Sequence, residues 1–351
     1  MNTNIKVKIT HPYGEFPLIR QTPNTLGNWG DCDFFVNQQI PECDYWFIID
    51  DLVQEERVVC NPKNVYIFTL EFPSIRSEIN SDFLNQFSTV ITYSRNLNHP
   101  NIIEEISLFP WHLGIDNTNS KTQQKNFKTY DQLILPIIEP KSKLISVISS
   151  NKSWTEGHKK RLKFVEALKD HYGDKIDIFG RGIRDFADKW DAIVPYKYHI
   201  AIENSACHNG ISEKLYDAFL GESFPIYYGS PNVRDYFSEE SFLDIDINNI
   251  DESIKRIDNL LLNNTYEKSI FYIRESKDLV LNKYNLFPFI CDLCEASPKS
   301  INRDRQSVNL LPESSFLPQK KIKVNHLKFY ITKIVKKYFN FVSFVKKTIK
   351  N

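Results

Sequence analysis

No stretch of the 351-residue sequence reaches the roughly 18 uninterrupted apolar residues of a membrane-spanning helix, which excludes a conventional helical span. Net charge is missing too. Lys and Arg number 44, Asp and Glu 44, so the molecule as a whole exerts no general pull on nucleic acid. The opening "MNTNIKVKIT" lacks the apolar core of a secretory leader, and six scattered cysteines (Cys32, Cys43, Cys60, Cys207, Cys291, Cys294) fit the reducing, cytoplasmic compartment that this predicts. "CDLC" at 291–294 has no second Cys pair and no matching histidines, so helical packing is favoured over a metal or redox centre. There is no internal repeat and no long low-complexity segment. Methionine occurs once, and no mechanism follows from that.

What is present is alternation. The chain is 41% hydrophobic and 25% charged, ordinary for a globular protein, and long enough for two cores. "IKVKIT", "DYWFIID", "NVYIFTLE" and "TVITYS" read as strands, and "PSIRSEINSDFLNQF" suits a helix starting after Pro73. This alternation predicts a parallel sheet. The polar stretch 115–131 reads as a surface loop, and "LPIIEPKSK" (135–143) as an interdomain linker. A second unit follows: strand "KLISVISS", helix "TEGHKKRLKFVEALKDHYG" with Thr155 as cap and Gly173 as stop, and strand "KIDIFGRG". Then come "YKYHIAIEN", helix "SEKLYDAFLG", strand "FPIYYGS", strand "SFLDIDI" and two helices over 251–285. The expected domains are 1–138 and 139–296, both Rossmann-like α/β, followed by a linker (297–325) and a tail (326–351).

The tail is distinctive. Leu327, Ile331, Ile334, Tyr338, Phe341, Val345 and Ile349 fall at helical spacing, and ten lysines between Lys320 and Lys350 meet no carboxylate. This predicts a basic amphipathic helix lying on an anionic membrane surface, with docking on the protein itself or an oligomer contact as alternatives.

Doubly wound domains bind ligands where strand ends meet helix N-termini. Lys214 stands in the first turn of the "SEKLYDAFLG" helix, where the dipole disfavours a cation unless an anion is near. Either it meets a phosphate, or it points into solvent. Arg161, on the helix after "VISS", and Arg181, after "IDIF", lie on the same side and would complement a diphosphate. "DID" (244–246) matches an Asp-x-Asp metal pattern, but strand-end solvation is the favoured reading.

"YKYHIAIENS…ISEKLYDAFLGESFPIYYGSPN" resembles the donor-binding signature of the family 10 glycosyltransferases, the α-1,3/4-fucosyltransferases. "IDIFGRG" and "RLKFVEAL" resemble that family's upstream segments, in order. "TLEFPS" (69–74) resembles its E-S-P segment. The resemblance implies a GT-B fold, two Rossmann-like domains facing a cleft. It implies GDP-fucose as donor, inversion, no essential metal or other cofactor, and a glycan acceptor such as a lipopolysaccharide or capsule precursor. By the same resemblance Glu71 is the general base, the alternative being a carboxylate near a helix start. Arg161, Arg181, Asn204, Ser205, Glu213 and Lys214 hold the donor. One departure stands out: Gly210 replaces a family aromatic that touches the donor, with His208 nearby. Another donor sugar, or a non-catalytic membrane-attached carbohydrate-binding relative, are the rival readings. No nucleic-acid partner is expected.

Overall fold

The computed structural model describes residues 4–72, 76, 78–116, 126–149, 156–180, 182–296 and 304–317. Eight strands come first: β1 (Ile5–Thr10), β2 (Asn28–Trp29), β3 (Cys32–Val36), β4 (Tyr45–Ile49), β5 (Glu56–Cys60), β6 (Val65–Thr69), β7 (Thr89–Thr92) and β8 (Ile102–Glu104). Seven of them form one sheet in the order β2-β3-β1-β4-β6-β7-β8, parallel except for the β2–β3 pair. In β4 the side chains alternate between two cores: Tyr45, Phe47 and Ile49 on one face, Trp46 and Ile48 on the other. A strand buried on both faces reads as the continuous apolar run seen in "YWFII".

The second sheet is all parallel, in the order β10 (Ile176–Phe179), β9 (Lys143–Ile148), β11 (Tyr196–Ile202), β12 (Phe224–Tyr228), β13 (Leu243–Asp244). The first domain contributes the short helices α1 (Ser81–Leu84) and α2 (Tyr130–Leu133). Along the second run α3 (Glu156–Tyr172), α4 (Lys189–Ile193), α5 (Glu213–Leu220), α6 (Ile250–Leu262) and α7 (Thr265–Asn282). The α3 helix is followed by Gly173 at φ +56°, left-handed backbone that glycine adopts at no steric cost. The α5 helix starts at Ser212, whose hydroxyl accepts the Lys214 N–H, and buries Leu215, Tyr216, Phe219 and Leu220. Each fully buried apolar side chain of this kind contributes about 1.5–3 kcal/mol.

Three segments depart from the sequence reading. The helix expected after Pro73 is, among the described residues, only the single turn α1, opened by the Asn80 side chain accepting the Asp82 and Phe83 N–H groups. Long-range bonds hold the preceding stretch instead: Arg76 Nη2 and Asn80 N both donate to Glu313, at 2.6 and 2.7 Å. The 297–325 stretch contains a strand, β14 (Gln306–Leu310), paired antiparallel with β5 from Gln306↔Cys60 to Leu310↔Glu56. Its pairing partner lies at the far end of the sequence, so no local pattern marks it. The "CDLC" helix α8 (Leu286–Glu295), counted with the second domain, packs on the first. Phe287 meets Phe34 edge-on at 4.9 Å, and Phe289 meets Phe68 at 6.0 Å. Cys291 and Cys294 are buried there. Arg181, Thr155 and the tail 326–351 lie outside the described residues.

Candidate active site

The carboxyl ends of both sheets meet across one cleft. On the second-domain side, β11 delivers Asn204 just past its last residue, and the N-terminus of α5 delivers Glu213 and Lys214. With Arg161 and His158 of α3, Lys189 and His199, they line a cavity of about 270 Å³. An adjoining cavity of about 350 Å³ is walled from the first domain by Tyr13, Phe16, Glu71, Phe72, Phe109, Pro110 and His112. Asn204, Glu213 and Lys214 belong to both walls.

Lys214 does not point away into solvent. Its Nζ lies 3.1 Å from Glu203 Oε2, 3.5 Å from Glu213 Oε1 and 3.0 Å from Ser212 Oγ. The Glu203 side chain is wholly buried; it also accepts the Ser212 N–H at 2.8 Å and the Ser212 hydroxyl at 2.7 Å, so it orders the loop that opens α5. Lys189 Nζ lies 2.6 Å from Asp217 Oδ2 and 3.5 Å from Glu213 Oε1. Burial alone would lower both lysines; the facing carboxylates outweigh it and raise them. Burial alone would raise Glu213, but Lys214, Lys189 and His112 together hold it well below the usual carboxylate range. Arg161, lowered by burial, donates to Asn204 Oδ1 at 3.2 Å. His199, lowered to about 3 chiefly by burial, is neutral and bonded to Ser146 at 2.8 Å.

Asp217 ties the halves together, accepting the backbone N–H of His112 and of Leu113 at 3.0 and 2.9 Å. Asn209, at φ +58°, is the second tie. Its carbonyl accepts the Ser107 N–H at 3.2 Å, and its side chain donates to Glu104 at 2.8 Å. His208 also faces Glu104, at 3.7 Å, and does not fill the space beside Gly210. A Cβ at Gly210 would stand 2.2 Å from Cys207 Sγ and 2.8 Å from Phe72 Cε1. The aromatic ring at this part of the wall therefore comes from the first domain.

Glu71 follows β6 and is half-buried, its carboxyl raised by burial first and then by the charges of Asp50 and Glu213. Of the residues singled out in the sequence, Glu71, Arg161, Asn204, Glu213 and Lys214 converge. Ser205 follows Asn204 but lines neither cavity. Sequence reasoning missed Asp50, His112, Lys189 and Asp217, and gave no role to Glu203 within its own motif. Asp244 of "DID" is occupied by Arg234 and Arg256 at 2.6 and 3.2 Å, and Asp246 caps the following turn. Among the described residues no three His, Cys, Asp or Glu side chains converge as a metal-ligand set.

A family model described as glycosyltransferase family 10 (fucosyltransferase), C-terminal part, matches residues 138–314. The chain is 35% identical over 71 residues to the alpha-(1,3)-fucosyltransferase FucT of Helicobacter pylori, covering 20% of this chain and 15% of that protein. It is 29% identical over 151 residues to the 4-galactosyl-N-acetylglucosaminide 3-alpha-L-fucosyltransferase 9 of Mus musculus, covering 41% and 40%. The chain thus spans less than half the length of these curated relatives. A solved alpha1,3-fucosyltransferase with GDP-fucose is 16% identical with a TM-score of 0.45, over 81% of this chain and 92% of that one. A family match over half of the sequence, on the segment that carries β9 to β14, means that the chain belongs to glycosyltransferase family 10.

Proposed function

We propose that this protein transfers fucose from GDP-fucose to a hydroxyl of a glycan, with inversion at the anomeric carbon and without a metal ion. The observation that carries the reading is the shared wall: one cavity gathers Arg161, Lys189 and Lys214, the other carries a carboxylate, Glu71, and Asn204, Glu213 and Lys214 border both. A diphosphate in the first cavity would set the sugar's anomeric carbon toward the second. Glu71 takes the proton of the acceptor hydroxyl as its oxygen bonds to the anomeric carbon. The bond to the β-phosphate oxygen breaks, and its electron pair leaves with GDP. The cations stabilise that developing charge, the task a metal performs in other transferases. The aromatic wall of Tyr13, Phe16, Phe72 and Phe109 suits the C–H face of an acceptor sugar. A lipopolysaccharide or capsule precursor is the acceptor class proposed, met at the cytoplasmic membrane face through the basic tail. Gly210, with Phe72 against it, keeps another donor sugar as the second reading.

Calorimetry in EDTA tests the donor. GDP and GDP-fucose are expected to bind with measurable heat. Silence with GDP-fucose, together with clear heat from a UDP-sugar in manganese, would overturn the reading.

A further inference from the structure

We propose that Asp50 is the positioning residue of the base: its carboxylate clamps the peptide at Glu71 and the Tyr13 hydroxyl, fixing the place of the Glu71 side chain. The inference rests on the reading of Glu71 as the base and goes beyond it.

Asp50 follows the last residue of β4 at φ +61°, left-handed backbone that aspartate tolerates better than most residues but that still carries strain. Its N–H continues the ladder to Phe68 O at 2.8 Å, so the strain is held by the sheet. The side chain is buried, 4% of the residue remaining exposed. One oxygen accepts the Leu70 N–H at 2.7 Å and the Glu71 N–H at 3.3 Å; the other accepts the Tyr13 hydroxyl. The Asp50 carbonyl accepts from Arg76 Nη1 at 2.9 Å. From the opposite side the Tyr93 hydroxyl donates to the Glu71 carbonyl at 2.9 Å, and the buried Phe72 ring stands edge-on to Tyr93. The peptide of Glu71 is therefore fixed at both its N–H and its C=O.

A clamp on two N–H groups does not need a charge. Asparagine adopts φ > 0 more readily than most residues and would accept the two N–H groups through its one carbonyl oxygen, but its amide nitrogen cannot accept the Tyr13 hydroxyl. The second carboxylate oxygen holds Tyr13, and the charge bears on Tyr13, Tyr93 and Glu71 alike. The groups that act on Glu71 come from every side: Asp50 at the end of β4, Glu213 and Lys214 at the start of α5, and Arg76 on its own segment. The two carboxylates favour the protonated form of Glu71, and the two cations oppose them. A base held above the ordinary carboxylate range accepts the acceptor proton more readily.

The test compares wild type, Asp50→Asn, Asp50→Ala and Glu71→Gln, following GDP-fucose consumption with N-acetyllactosamine or with water as acceptor, across pH. Asp50→Asn keeps the shape and the one oxygen that accepts the Leu70 and Glu71 N–H groups, removes the charge, and puts an N–H donor where the Tyr13 hydroxyl was accepted. Its acid limb in kcat/KM is expected at lower pH than wild type, with the affinity for GDP unchanged. Asp50→Ala releases the peptide and is expected to lose about 10²-fold in kcat, the effect of a small misplacement. An Asp50→Ala enzyme with wild-type kcat, with Glu71→Gln inactive, overturns this inference and leaves the base in place. Undiminished turnover by Glu71→Gln, or none by wild type, overturns the reading beneath it and the inference with it.

Discussion

Lys214 occupies a helix turn whose dipole disfavours a cation, and Glu203 and Glu213 supply the compensation. It therefore has two roles, one in the fold and one proposed for the diphosphate, and a single substitution mixes them. Lys214→Met leaves the buried Glu203 carboxylate uncompensated, which costs about 3–5 kcal/mol for a broken buried pair. Adding Glu203→Gln removes that charge. The double variant is expected to recover most of the lost melting temperature while its affinity for GDP stays weaker by about tenfold or more, one charge-assisted hydrogen bond. Thermal unfolding and calorimetry on the two variants read the two roles separately; full recovery of GDP affinity would make Lys214 structural only. Glu71 was singled out by resemblance to the family's E-S-P segment, and Lys214 by its place in the first turn of a helix, which left phosphate and solvent open. Asp50, Lys189 and Asp217 were not singled out. Asp217 is mid-helix in "EKLYDAFL" and acquires its meaning only from two N–H groups of another domain, a relation with no local pattern.

Among the elements, those of the second sheet could be read almost directly. Buried parallel strands are continuous apolar runs, and β9 and β11 are each followed by a helix, α3 and α5, with its own start or stop signal. The edges were harder. The β2 and β8 strands span two and three residues, and β14 exposes most of "QSVNL", so neither length nor alternation marks them. Yet β14 covers the edge of β5, buries Leu310 against the core that holds Val58 and Trp46, and leads to Glu313, the partner of Arg76. A chain ended after Ala296 is expected to melt several degrees below one ended after Leu317. Burial of Leu310 alone is worth about 1.5–3 kcal/mol, and 1 kcal/mol moves the melting point of so large a protein by about 2–4 °C. Equal melting points would mean that β14 is dispensable to the sheet.

At the scale of the whole molecule, the carboxyl ends of the two sheets meet at one cleft. Asp217, Asn209 and His208 of the second domain bond or pair with the first. No helix among the described residues is long and apolar enough to cross a membrane. Attachment through the lysine-rich tail gives a further prediction: full-length protein sediments with anionic liposomes at low salt, and the chain ended after Leu317 stays in solution while still consuming GDP-fucose. Each lysine near an anionic leaflet contributes about 1 kcal/mol, so the pelleted fraction should fall as salt rises. Failure of the full-length protein to pellet would assign the tail elsewhere. The return of the chain to its first domain has a consequence in time. A ribosome adding about 5–20 residues per second completes β6 long before it makes α8 and β14, so for on the order of ten seconds or more the nascent first sheet lacks the α8 rings that pack on Phe34 and Phe68 and the β14 partner of β5. For that interval the half-made chain presents an open β5 edge and bare aromatic faces to its surroundings.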